Sequence, residues 1–111
     1  MIMQPHANEL ISYACRFAGI SNIAENRKNK NTQVRMLLAY LIHTNWGLPY
    51  QHIAVLLYGR KDHSTVLHAI QRVRDLIAVR DTYVTTLLHQ LQPEAERLRK
   101  KTIDQFNVRA A

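Results

Sequence analysis

Along residues 62–75 the sequence DHSTVLHAIQRVRD places a carboxylate, imidazoles, hydroxyls, an amide and guanidinium groups at helical spacing. With Val66 set at zero and about 100° added per residue, Val66, Ala69, Ile70, Val73, Leu76 and Ile77 fall on one half of a helix. The opposite half gathers Ser64, His68, Gln71, Arg72 and Asp75. These are the groups that hydrogen-bond base edges in a DNA groove and phosphate oxygens beside it. The plain alternative is a polar helix face that meets only water.

Other chemistries find less support. The six histidines are His6, His43, His52, His63, His68 and His89, and no two stand three or four apart. A helical metal pair is therefore missing, and the single Cys15 cannot supply a thiolate set. Cys15 sits in an apolar stripe, where a free thiol packs as a small hydrophobe. The acids are scattered, which argues against a metal-dependent nuclease, and none of Gly19, Gly47 and Gly59 opens a Gly-Lys-Ser/Thr phosphate loop. The expectation is a protein that is not an enzyme, with no metal and no cofactor. Tyr40, Trp46, Tyr50 and Tyr58 occupy helical stripe positions and read as core rather than as platforms for stacked bases.

The elements that must carry residues 62–75 are helices. Apolar residues recur at 3.6 spacing and almost nowhere alternate, so the fold class is all-α. A first helix is expected over 8–18, with Leu10, Tyr13, Ala14, Phe17 and Ala18 inward and Gly19 ending it. A short helical turn over 21–25 and an exposed basic loop over 26–31, NRKNKN, come next. Thr32 is the expected N-cap of a helix to Asn45 with a stripe of Met36, Leu37, Tyr40, Leu41 and Thr44. Pro49 opens a helix to about Leu57, residues 58–62 turn, and the next helix begins near His63 or Ser64 and runs to about Val79. Asp81 or Thr82 caps a sixth helix to Leu91, and Pro93 opens a charged seventh to Asn107. Two helices joined by a short Gly-containing turn, the second polar outside, are a helix-turn-helix candidate.

The chain has 111 residues and a formal net charge of +7, enough for one core and a polyanionic partner. Between Asn26 and Arg74 there are eight Lys or Arg and one acid, Asp62. That is the electrostatic footprint of a phosphate-binding surface. No window approaches the roughly eighteen apolar residues of a membrane span, and one cysteine needs no oxidising compartment. The expected setting is the bacterial cytoplasm, in association with the nucleoid.

The block Asp62, His63, Ser64, Thr65, Val66, Leu67, His68 and Ala69, preceded by Gly59 and Arg60, resembles the signature of the C-terminal DNA-binding domain of the bacterial replication initiator DnaA. Looser similarity reaches back through Leu48-Pro49 and the basic loop, covering roughly residues 8–91. The resemblance implies base reading in the major groove of a short AT-rich box by Asp62, His63, Ser64 and Thr65, with help from His68 and Gln71. A carboxylate can accept from a cytosine amino group, and a Thr methyl can meet a thymine methyl. Asp62 has a competing role as a helix N-cap, and His63 as a buried packing residue. The resemblance further implies minor-groove or phosphate contact from Arg27, Lys28 and Lys30, and phosphate contact from backbone amides at Leu48-Pro49. Arg60, Lys61 and Arg72 are further phosphate candidates.

Several departures bear on what transfers. The initiator's nucleotide-binding region has no counterpart, so no ATP-driven step is expected of these residues. The stretch from Pro49 to Asp62 is a few residues longer than in the family, Ser64 stands where Thr is common, and Leu41 stands where Lys is common. The expected organisation is a helix-turn-helix domain over 1–92 and a charged helical extension over 93–111. The expected function is sequence-specific binding of double-stranded DNA in replication initiation or transcription regulation. Two alternatives stay open: a Trp-repressor-like regulator that dimerises, and a module docking its basic face on an acidic protein. The C-terminal helices would serve self-association or contact with a replication protein.

Overall fold

The computed structural model describes residues 4–19, 29–59 and 62–110, with side chains over 6–19, 32–59 and 62–104. Among the described residues there are five helices and no strand: α1 (Gln4–Ala18), α2 (Asn29–Trp46), α3 (Tyr50–Tyr58), α4 (His63–Ala78) and α5 (Thr82–Ala110). The all-α class expected from periodicity is what the chain adopts. No described helix is long and apolar enough to cross a membrane.

The second helix is the hub, packing against each of the other four. Val34, Leu37, Leu38, Ala39, Leu41 and Ile42 are all buried, so α2 is apolar around most of its circumference. A helix covered on all sides has no single stripe. The expected stripe was too narrow: Thr44 is exposed and turns its hydroxyl back onto the Tyr40 carbonyl at 2.8 Å. The start also differs, since Asn29, Lys30 and Asn31 are already helical and Thr32 lies inside the helix instead of capping it. Nothing in Asn29–Asn31 is a helix breaker, so these polar residues can form the first turn of α2. The helical turn expected over 21–25 lies outside the described residues.

α1 packs on α2 and α5 through Leu10 and the small residues Ala7, Ala14 and Ala18. Phe17, expected inside, is 51% exposed, because the buried line is centred on the alanines and Leu10. Residues 82–110 form one helix where two were expected, with Pro93 inside it. Proline removes one backbone donor and crowds the carbonyl four residues back, at a cost of about 3 kcal/mol. Leu91, Ala95 and Leu98 on both sides of it are buried, and this apolar burial carries the helix through the interruption. At about 1.5 Å per residue, the 29 residues of α5 account for the molecule's 45 Å long axis.

The α4–α5 turn closes with the Arg80 N–H donating to the Ile77 carbonyl at 3.0 Å and the Asp81 N–H to the Leu76 carbonyl at 2.9 Å. Arg80 occupies the left-handed region at φ 57°, a position that glycine fills more often. Asp81 then caps α5, its Oδ2 accepting from the Val84 N–H at 3.0 Å.

Candidate nucleic-acid interface

The geometry of the candidate surface starts with two short-range decisions. Gly59 takes a left-handed conformation (φ 72°) and its N–H donates to the Val55 carbonyl, which ends α3. Three residues on, the Asp62 carboxylate accepts from the Ser64 N–H at 3.1 Å and starts α4. α3, this turn and α4 therefore form two consecutive helices packed on each other and on α2. Val66, Ala69, Ile70, Val73 and Leu76 bury the inner side of α4 as the periodicity predicts, and Ile77 is half-buried.

The other side of α4 is turned to solvent. Asp62, His63, Ser64, His68, Gln71 and Arg72 are exposed, and Thr65 is half-buried at the rim. His63 is therefore not the buried packing residue that was its alternative. Asp62 serves as the N-cap, which leaves it at the surface and is compatible with contact to a partner. Among the described residues, the side chains of His63, Ser64, His68, Gln71 and Arg72 have no hydrogen bond or ion pair within the chain.

The phosphate candidates divide. Arg27, Lys28, Arg60 and Lys61 lie outside the described residues, and Lys30 stands in the first turn of α2 with its side chain outside them. Leu48 is buried, so only its backbone is available to a ligand. Pro49 precedes α3 at φ −59°, ψ 148°, and its carbonyl accepts from the His52 and Ile53 N–H groups. Proline has no N–H, so the donors at this helix start are the amides of Tyr50 and Gln51 that precede the first intrahelical bonds.

Two α2 side chains that sequence reasoning passed over support this surface. The Arg35 guanidinium lies 4.9 Å from the Tyr58 ring centroid, and Arg35 is buried. Burial pushes the Tyr58 hydroxyl above the usual phenol range and the adjacent Arg35 cation partly offsets that, so the phenol stays protonated near neutral pH. The His43 Nδ1 lies 3.2 Å from the Leu48 carbonyl, and the imidazole tilts against Tyr50 with centroids 4.8 Å apart. Trp46 is buried and its Nε1–H donates to Thr102 Oγ1 at 3.2 Å, tying the end of α2 to α5. Tyr40, Tyr50 and Tyr58 pack half-buried on the core. A cation among apolar residues, at Arg35, was the only advance signal in the sequence. Among the described residues no group of three or more His, Cys, Asp or Glu could hold a metal ion. Cys15 is half-buried and burial raises its thiol pKa.

A Gly-terminated helix, a capped second helix with a solvent-facing polar side, and a third helix bracing both define the class: an all-α helix-turn-helix protein. A family model for the bacterial DnaA protein helix-turn-helix matches residues 10–73, more than half of the chain. The chain belongs to that DNA-binding family. No curated protein and no solved structure matches it.

Proposed function

We propose that this protein binds double-stranded DNA sequence-specifically, with the first turns of α4 in the major groove. Asp62, His63, Ser64 and Thr65 are the base readers, aided by His68 and Gln71. Arg27, Lys28, Lys30, Arg60, Lys61, Arg72 and the amides opening α3 hold the phosphates. The observation that supports the reading is the outward side of α4, where the side chains of His63, Ser64, His68, Gln71 and Arg72 are exposed and, among the described residues, make no hydrogen bond or ion pair within the chain. The α-helix fits the major groove, and hydroxyl, amide and imidazole groups match base-edge donors and acceptors there. No nucleotide hydrolysis is part of this role, and the DNA bound serves replication initiation, transcription regulation or a mobile element.

Selection of bound sequences from a random duplex library tests the proposal. A recurring short motif is expected, and recovery of no motif overturns it. Lys61→Ala is expected to weaken every duplex alike and to lower the salt slope of binding by about one. Loss confined to one duplex would remove Lys61 from the phosphate contacts. Sedimentation as a dimer would instead favour the Trp-repressor-like arrangement.

A further inference from the structure

Both terminal residues of α3 are tyrosines, and each meets a polar side chain of α2. Tyr58 meets Arg35 at 4.9 Å and Tyr50 meets His43 at 4.8 Å. On α2 the two partners are eight residues apart, as the tyrosines are on α3, and the pairs cross in order, so the helices run antiparallel with a contact at each end of α3. Between these contacts α3 buries Ile53, Ala54 and Leu57 and packs Leu56 half-buried on the core. Apolar burial is non-directional and leaves such a short helix free to slide or roll by small amounts. A cation over a ring and an N–H on a carbonyl fix direction as well as distance.

We propose that Arg35 and His43 are positioning residues of the DNA site, clamping α3 at both ends and so setting the separation between its phosphate-holding N-terminus and the base-reading start of α4. The proposal rests on the DNA-binding reading above. His43 acts at the front: its Nδ1–H donates to the Leu48 carbonyl across Gly47, so the chain entering α3 is held where Tyr50 and Gln51 present their amides. Arg35 acts at the back: Tyr58 is the last residue before Gly59, and the aim of α4 follows from where that turn begins. Burying a guanidinium is costly in a core that a hydrophobe would fill, and geometric definition is the return.

The test uses the full chain, the duplex selected above and a scrambled duplex of the same length, each titrated over a salt series, with melting recorded for every variant. Arg35→Met keeps an unbranched stem without the charge, and Arg35→Lys keeps a cation for the ring. His43→Phe keeps the ring contact to Tyr50 and removes the donor to Leu48. Arg35→Met is expected to reduce the preference for the selected duplex about tenfold, one mismatched base pair's worth, with the salt slope unchanged. Arg35→Lys recovers most of that preference. His43→Phe weakens both duplexes equally and lowers the salt slope by about 0.9, the loss of one phosphate contact. Should Arg35→Met melt below the assay temperature, His43→Phe decides alone, since it leaves the buried charge on its tyrosine. Folded variants with wild-type preference and slope overturn the clamps while leaving the DNA-binding function standing. A wild-type protein with no preference between duplexes overturns that function and the clamps with it.

Discussion

The polar sides of α4 and α5 are made differently. On α5 part of the polar surface is paired: Arg97 donates to Glu94 at 2.7 and 2.9 Å, Gln92 donates to Glu96 at 2.9 Å, and Lys101 lies 3.9 Å from Glu9 of α1, while Arg99 and Lys100 are exposed without such bonds among the described residues. On α4 the outward side chains from His63 to Arg72 make no such bonds among the described residues. Both helices bury their opposite sides, so the difference does not come from packing. A surface helix that closes its own hydrogen bonds is furnished for water, whereas one that leaves base-sized donors and acceptors open is furnished for a partner. Under the proposed function, α5 serves mainly the core and its own surface, and the outward side of α4 serves recognition.

The sharpest way to break that division is Leu98→Ala. Leu98 is fully buried in α5 and its truncation is expected to cost about 2–5 kcal/mol of stability, read by denaturant unfolding. Duplex affinity of the folded fraction should stay as it was; a loss of affinity in folded protein would make α5 part of the DNA site. The converse substitutions are Ser64→Ala and Thr65→Ala. Each is expected to cost about 1–3 kcal/mol of binding at the selected duplex and to leave the melting midpoint nearly unchanged. Unchanged binding by both would remove the start of α4 from base contact.

Smaller effects refine the picture at the boundary between the two helices. Arg80→Gly relieves a left-handed non-glycine residue, and after the entropy cost of glycine a gain on the order of 0.5 kcal/mol is expected, measured by thermal melting. A destabilised variant would mean that the Arg80 side chain contributes more than its backbone costs. The slightest effect concerns pH. Hydrogen bonds from Arg97 hold the Glu94 carboxyl below the usual carboxylate range. A depressed native pKa gives stability that is present above the unfolded pKa and lost as pH falls through the native one. Glu94→Gln should therefore lower the melting midpoint slightly near neutral pH and leave it unchanged at pH values below both. An equal shift at all pH values would trace the effect to packing.

How far the sequence disclosed this arrangement depended on how local the controlling physics was. The α4 boundaries, its inner and outer sides, the Asp62 cap and the Gly59 turn follow from spacing and capping within a few residues, and all were readable. The α2 interior was not, because a helix surrounded by four neighbours loses the one-sided pattern that periodicity detects. Phe17 misled through size: the alanines beside it set the buried line. Pro93 misled because a local penalty was outweighed by burial at Leu91, Ala95 and Leu98, which only the tertiary arrangement supplies. The candidate site shows the same split. Its proposed base readers stood in a contiguous motif, while the contacts of Arg35 and His43 depend on α3 meeting α2, and a cation among apolar residues at Arg35 was the only local hint of them.

The hydrogen bond from the Trp46 indole to Thr102 joins residues 56 positions apart and lies wholly inside the protein. Thr102 sits well beyond residue 73, where the family model stops. An excerpt cut to the matched length would strand the indole N–H and wet the apolar wall that α5 covers. The core of this chain thus extends past the matched helices, and part of their shelter from water comes from α5.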